Sequence, residues 1–329
     1  MQKEINKVVA SVVIPTYNSQ ETLARAIRSV QNQSLSDIEI LIVNDCSSDE
    51  SLQIARDFSV SDSRIYIIDL KSNSGKSAAM NAAIAAASGE WIAVLDADDT
   101  YEKERLERLI GMAIKEDVDL VADNQRHIDP EKESAFSIAF QAQGIGRHLS
   151  SADFAKYSSS SSKFDFGILK PIVKKDFISS TVLKYNEGAR FAEDFYYLFD
   201  FFAAGGRAYI SHAPYYNWYM PFSPSSRKWS TTGNGAWRYD YRIALSINSE
   251  FKSTYKDHAN KKLYDILLSR EAGYKKMIHY IDAQKLFEKE KNYKAALAII
   301  IFNPNIWPLF IKRVGGRVWR FILQNVSKR

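Results

Sequence analysis

Three carboxylates fall within four positions at Asp96-Ala97-Asp98-Asp99, directly after the apolar run Trp91-Ile92-Ala93-Val94-Leu95. The run is short and β-rich, as buried strands are. A strand that ends in acids delivers them at one edge of a sheet, where α/β proteins bind ligands. Acids packed together repel one another unless something positive sits among them. Mg²⁺ and Mn²⁺ prefer oxygen ligands, typically one or two carboxylates plus the phosphates of a substrate. The triplet reads either as a metal–diphosphate site or as a solvated loop after a core strand. Another acid, Asp194, closes the stretch Glu187–Asp194 and precedes the aromatic run Phe195–Phe202. A helix starting there turns its positive dipole end toward the carboxylate. Asp194 could take a proton from a hydroxyl or simply cap that helix.

The elements that must position these acids follow from periodicity. Lys7–Pro15 and Ile38–Val43 read as strands, and Arg64–Leu70 as a third. Between them lie helices with Leu23, Ala26, Ile27 and Val30, and then Leu52, Ile54, Ala55 and Phe58, at helical spacing. An alanine-rich helix follows Lys76 and closes at Ser88-Gly89. Strands and helices joined by short loops predict a parallel, doubly wound sheet. The loop Asn44–Asp49 places Asp45 to meet a ligand, to cap the next helix, or both; Tyr17 could face a ligand or pack. After Asp99 a helix spans about 103–115 with Leu106, Leu109, Ile110 and Ile114 on one face, then a short strand Val118–Ala122. Residues 130–165, with serines at 158–162, read as a loose surface segment over the site. Phe166–Pro171 returns to order, Tyr209–Ser211 reads as a short strand, and Tyr215–Pro221 is densely aromatic. Tyr216 and Trp218 could stack on a sugar or fill a core. His212 could touch a diphosphate or be structural, and Arg227 could clamp phosphate or lie on the surface. From about Gly235 the pattern is helical.

Composition bounds the class. A chain of 329 residues with 46% hydrophobic and 25% charged residues is an ordinary globular one. Cys46 is the only cysteine, which excludes an intramolecular disulfide and makes a cysteine metal site unexpected. No signal peptide and no simple transmembrane helix are expected. The absence of Gly-x-Gly-x-x-Gly weakens a dinucleotide-binding reading. The net charge of +5 is unevenly placed: residues 251–329 hold 17 Lys+Arg against 6 Asp+Glu, a balance of +11, and residues 1–250 the remaining −6. A basic tail suggests an anionic partner, nucleic acid or membrane. Its apolar cluster, from Ala295–Phe302 through Trp307, Leu309, Phe310 and Ile311 to Trp319 and Phe321, favours a membrane surface over nucleic acid.

Together, Pro15-Thr16-Tyr17-Asn18, Asn44–Asp49, Asn73-x-Gly75, Asn81, Asp96–Asp99 and Glu193-Asp194 resemble family 2 glycosyltransferases in order and spacing, over roughly the first 220 residues. Within that family the chain looks most like bacterial exopolysaccharide enzymes of the succinoglycan type. The resemblance implies a GT-A fold, a doubly wound, Rossmann-like mixed α/β sheet, here with a C-terminal helical extension. It divides the chain into a 1–230 catalytic domain, with a nucleotide-sugar half at 1–100 and an acceptor half at 101–230, and a basic extension at 231–329. It implies a UDP-sugar donor, Mn²⁺ or Mg²⁺, and a lipid-linked saccharide acceptor at the cytoplasmic face of the membrane. By the same resemblance Pro15, Thr16 and Tyr17 lie against base and ribose, Asp45 bonds the uracil, Asp96 precedes the diphosphate acids, Asp98 and Asp99 hold the metal, and Asp194 is the catalytic base. Opposite-face attack implies inversion, with a hexose, glucose first, as the sugar. The chain departs from the family at Asn44, where an acid is common, and at Met80, where an arginine is common; Lys76 is a candidate replacement on the donor. The Gln-x-x-Arg-Trp motif of processive synthases is absent, so polymerisation is not expected. Competing readings are a nucleotidyltransferase, disfavoured because Thr16–Ser19 lacks glycine and basic residues, and a silent nucleotide-binding scaffold, disfavoured by the intact acids.

Overall fold

A computed structural model describes residues 8–158, 164–190, 192–220, 240–257 and 260–309. The chain divides into two compact units, Met1–Thr232 with Ala259–Ile266, and Gly233–His258 with Leu267–Arg329.

The first unit begins with alternating strands and helices: β1 (Ala10–Thr16), α1 (Leu23–Gln31), β2 (Ile38–Asn44), α2 (Ser51–Ser61), β3 (Ile65–Asp69), α3 (Lys76–Ala86) and β4 (Trp91–Val94). β1 and β2 are buried almost throughout, as strands covered by helices on both faces must be. β1 pairs in parallel with β2 and β4, and β2 with β3, so all four strands end on the same edge. In α1 the expected stripe of Leu23, Ala26, Ile27 and Val30 is buried. The chain continues through β5 (Thr100–Tyr101), α4 (Arg105–Lys115), β6 (Leu120–Asp129), β7 (Ser134–Ile138), β8 (Gly146–Leu149), α5 (Ser151–Tyr157), β9 (Ile172–Lys174), α6 (Lys175–Thr181), α7 (Glu193–Ala203) and β10 (Ala208–Tyr219). In α4, Leu106, Leu109 and Ile110 are buried as expected, but Ile114, in the last turn, is exposed.

The sheet among the described residues has ten strands, in the order β3-β2-β1-β4-β9-β6-β10-β5, with β7 on β6 and β8 on β10. β9 lies antiparallel between β4 and β6, which makes the sheet mixed. Three expectations change here. β6 runs ten residues, because its polar half is satisfied laterally: Asn124 donates to the Phe140 and His212 carbonyls. The described part of the 130–165 segment is not loose: it forms β7, β8 and α5, the last with a capping box between Ser150 and Asp153. Of its serine run, Ser159–Ser162 lies outside the described residues. The two aromatic stretches around Pro214 are one strand, β10, whose register shifts on either side of Pro214. A bulge lets a strand carry a proline that has no N–H to donate.

The second unit holds helical segments of α8 (Tyr241–Tyr255), α9 (Lys261–Glu288) and α10 (Tyr293–Phe302). Asp240 caps α8, and Arg242–Asp282 and Lys252–Glu271 pairs tie α8 to α9. Tyr280, Ala283 and Ile306 form a small core. Ile301, Phe302 and Trp307 are 62%, 82% and 47% exposed. No helix among the described residues is long and apolar enough to cross a membrane. The basic residues beyond Leu309 lie outside the described residues.

Candidate active site

The parallel strands end together, and their loops are laced to one another. The Asp45 amide donates to the Thr16 carbonyl (2.8 Å), and the Asn44 side chain donates to Asp69 (2.8 Å). Asn18 accepts from the Ser48 amide (2.8 Å). The Asp45 carboxylate does not cap α2; it accepts from the Ser74 and Gly75 amides (2.6 and 2.8 Å), and Asp49 takes the Ser51 amide instead. Asp45 thus shapes the loop before α3, where Gly75 has φ +87°, a left-handed backbone that suits glycine. Pro15 and Thr16 end β1 in this lacing, Thr16 is buried, and Tyr17 is half exposed.

The next residue, Lys76, opens α3 and reaches the acids. Its ammonium lies 2.8 Å from Asp96, 3.1 Å from Asp194 and 3.6 Å from Glu193. A second ammonium, Lys170, lies 2.7 Å from Asp96 and 2.5 Å from Asp194. Two lysines therefore cross-link an acid just past the end of β4 to an acid in the first turn of α7. Burial pushes the Asp96 carboxyl up, and Lys170 and Lys76 more than reverse it, holding Asp96 far below the usual carboxylate range. Burial works against both ammoniums, yet Asp194 and Asp96 raise each above its ordinary value. Desolvating four charges is costly, and such clusters are weak evidence for stability; groups perturbed in this way gather at functional sites.

Asp99 is held differently. Its oxygens accept from the Tyr216 hydroxyl (2.7 Å) and the Tyr219 amide (2.9 Å). Burial, then repulsion by Asp98 and Asp96, pushes its carboxyl well up. The Tyr216 hydroxyl also accepts from the Asp96 amide (3.3 Å). Tyr216 is buried, with Tyr101 against its ring and the Arg105 guanidinium nearby, so it supports the acids and cannot stack on a sugar. Arg105 pairs with buried Asp123 (2.8 Å) and donates to the Lys170 carbonyl (2.5 Å). Arg25 stacks on Tyr219 and donates to the Asp98 carbonyl (2.8 Å).

Asp96, Asp98 and Asp99 each bring an oxygen within 4.8 Å of the others. Asp98 is exposed, and no hydrogen bond from another residue to its carboxylate is seen among the described residues. Each Asp99 oxygen keeps a lone pair beyond its one hydrogen bond. An all-oxygen set with one accessible carboxylate fits a hard divalent cation completed by substrate phosphates.

Other expected positions are engaged with different partners. His212 bonds to the Gly144 carbonyl and packs against Phe140, and Trp218 packs edge-on to His127. Arg227 lies outside the described residues. Met80 is buried, and Asn81 holds the Tyr185 backbone and Glu187. Lys170 and the Arg105–Asp123 pair escaped the reading of the sequence. The available signal was a lysine inside the apolar stretch Ile168-Leu169-Lys170-Pro171-Ile172-Val173.

A mixed sheet with this order, acids at the end of its central strand and helices on its faces, is the GT-A glycosyltransferase fold. Residues 11–150 match the model of "Glycosyl transferase family 2", so this stretch is a domain of that family. The succinoglycan biosynthesis protein ExoO of Rhizobium meliloti (strain 1021) is 32% identical over 219 residues, 65% of this chain and 62% of the relative. The chain thus spans under two thirds of that relative's length. Among solved structures, S. aureus TarS 1-349 in complex with UDP-GlcNAc aligns with TM-score 0.57 at 17% identity, covering 86% of this chain and 74% of that one. The mannosyltransferase PcManGT of Pyrobaculum calidifontis, in complex with GDP-Man and Mn2+, aligns with TM-score 0.55 at 16% identity, covering 97% and 79%. At those identities the likeness is one of fold.

Proposed function

We propose that the protein is an inverting, metal-dependent glycosyltransferase of surface-polysaccharide synthesis. It moves a hexose from a UDP-sugar to a lipid-linked oligosaccharide at the inner face of the cell membrane. One observation carries the reading: within 3.1 Å of the Lys76 and Lys170 ammoniums lie both Asp96, from the strand-end acids, and Asp194, from α7. A donor-site acid and a candidate base face each other across positive charge. The family match, the role of ExoO in succinoglycan biosynthesis and the UDP-GlcNAc bound by TarS support it. Mn²⁺ or Mg²⁺ on Asp98 and Asp99 would stabilise charge developing on the diphosphate; the Mn2+ of PcManGT supports this.

The chain's own residues do the rest. Pro15, Thr16, Tyr17 and the loop anchored by Asp45 receive the nucleoside. Lys76, oriented by its pairing with Asp96, brings positive charge to the diphosphate side. Asp194 takes the proton of the acceptor hydroxyl as its oxygen forms the bond to C1. The C1–O bond breaks, its electron pair leaves with UDP, and attack opposite the leaving group inverts C1.

The test is thermal unfolding against UDP, GDP, dTDP and CDP, with and without Mn²⁺. At a hundred times its dissociation constant a ligand stabilises by about 2.7 kcal/mol. The expected result is a UDP shift that needs Mn²⁺ and disappears in Asp98→Ala. No shift with any nucleotide would sink the donor assignment.

A further inference from the structure

We propose that Lys170 is a positioning residue for the transfer step, holding the Asp194 carboxylate in the orientation from which it takes the acceptor proton. This rests on the reading of Asp194 as the base.

Both ammoniums take the same oxygen of Asp194. Lys170 donates to Oδ2 at 2.5 Å and Lys76 donates to Oδ2 at 3.1 Å. No bond to Oδ1 is seen among the described residues, which leaves Oδ1 for the acceptor hydroxyl. The lysines are not equivalent. The Lys76 side chain is 24% exposed and sits beside the donor loop; that of Lys170 is 10% exposed. Lys170 is also fixed from behind, since its carbonyl accepts from Arg105, whose side chain is fully buried against Asp123. Asp123 in turn accepts from the Tyr215 amide (3.0 Å). Lys170 thus hangs from a buried, hydrogen-bonded anchor and reaches an acid on a separate helix.

Such a link does what sequence-local structure cannot. Asp194 lies in the first turn of α7, whose N-cap, Ala192, has φ 57° and makes no side-chain cap bond. The turn carrying the base is therefore steadied from outside, and Lys170, with Lys76, supplies the contact. A buried ammonium that met only the donor would have no need to share its strongest contact with the base.

Four proteins decide the point: wild type, Lys170→Met, Lys170→Arg and Asp194→Asn. UDP affinity with Mn²⁺ is read by calorimetry, and kcat and donor KM by UDP release from the UDP-sugar that the wild type turns over. A misplacement of about 1 Å at a reacting group costs about 100-fold. Lys170→Met should lose that factor in kcat, with donor KM and UDP affinity changing by far less than that through its contact with Asp96, and Lys170→Arg should recover about tenfold of it. In the Asp194→Asn background, Lys170→Met should cost nothing further. That double variant removes one positive and one negative charge, so the net charge of the cluster is unchanged if Lys170→Met alone fails to fold. Lys170→Arg then carries the kcat-against-KM split. Unchanged turnover in Lys170→Met overturns the proposal, as does a proportional loss of UDP affinity, which would make Lys170 a donor ligand. An equal loss in the Asp194→Asn background overturns it too, because Lys170 would then act without Asp194. Wild-type turnover by Asp194→Asn removes the base reading itself, a distinct failure.

Discussion

At the scale of single residues the site is a problem in charge placement. Asp96 and Asp194 stay close because two ammoniums lie between them, and Asp99 stays buried because Tyr216 and Tyr219 satisfy its oxygens. The three strand-end acids therefore have three different jobs, although their sequence context is nearly the same. Asp96 is bound to lysines, Asp99 to a tyrosine and an amide, and Asp98 is left facing outward. Tyr216→Phe tests this division. It removes one hydrogen bond from a buried carboxyl and one acceptor from the Asp96 amide, a loss of about 1–3 kcal/mol. Denaturant unfolding should show it, and metal-dependent UDP binding should weaken in parallel.

At the scale of elements, what was legible in the sequence was the part built from neighbours in the chain. β1 and β2 run out into Thr16 and Asn44-Asp45 because a parallel strand must stop, turn and return through a helix, and the polar residues after β4, from Asp96, mark its stop in the same way. Lys170 was not legible, because β9 inserts antiparallel between β4 and β6, and no periodicity in residues 164–175 names those partners. Tyr216 was left open between a ligand and the core for a similar reason: an aromatic reads alike whether it stacks on a ligand or supports an acid. The junction of α2 and β3 gives a test of element docking. Arg64 grips both oxygens of Asp62 (3.0 and 2.8 Å). The Arg64 hydrogen bond holds the Asp62 carboxyl far below its usual range, with burial opposing. A depressed acid stabilises the fold above its unfolded value, near 3.9, and loses that contribution as pH falls toward the folded value. Asp62→Asn should cost about 1–2 kcal/mol at pH 7. The gap from wild type should shrink below about pH 4, read from urea unfolding at pH 7 and pH 3.

At the scale of the whole molecule, the second unit presents Ile301, Phe302 and Trp307 to solvent, in a part of the chain whose charge balance is strongly positive. Aromatic and aliphatic side chains beside basic ones suit the boundary of an anionic bilayer. Phe302→Ser with Trp307→Ser should lower binding to phosphatidylglycerol vesicles, read by sedimentation, by at least about tenfold, since burying even one large apolar side chain is worth about 1.5–3 kcal/mol. High salt should weaken what remains. The first unit carries a consequence of another kind. Asp45 fixes the Ser74 and Gly75 amides, and the following residue is Lys76, which touches Asp194. One peptide unit separates the loop proposed to receive the nucleoside from the contact with the proposed base. A nucleotide filling that loop would tighten the contact that Lys76 already makes with Asp194, so transfer to the acceptor is favoured once the donor is in place. Substrate entry should then be compulsory in order, donor first and UDP last out. Product inhibition reads this directly: UDP should compete with the donor and act noncompetitively toward the acceptor, and a random-order pattern would show that the two sites do not speak to each other.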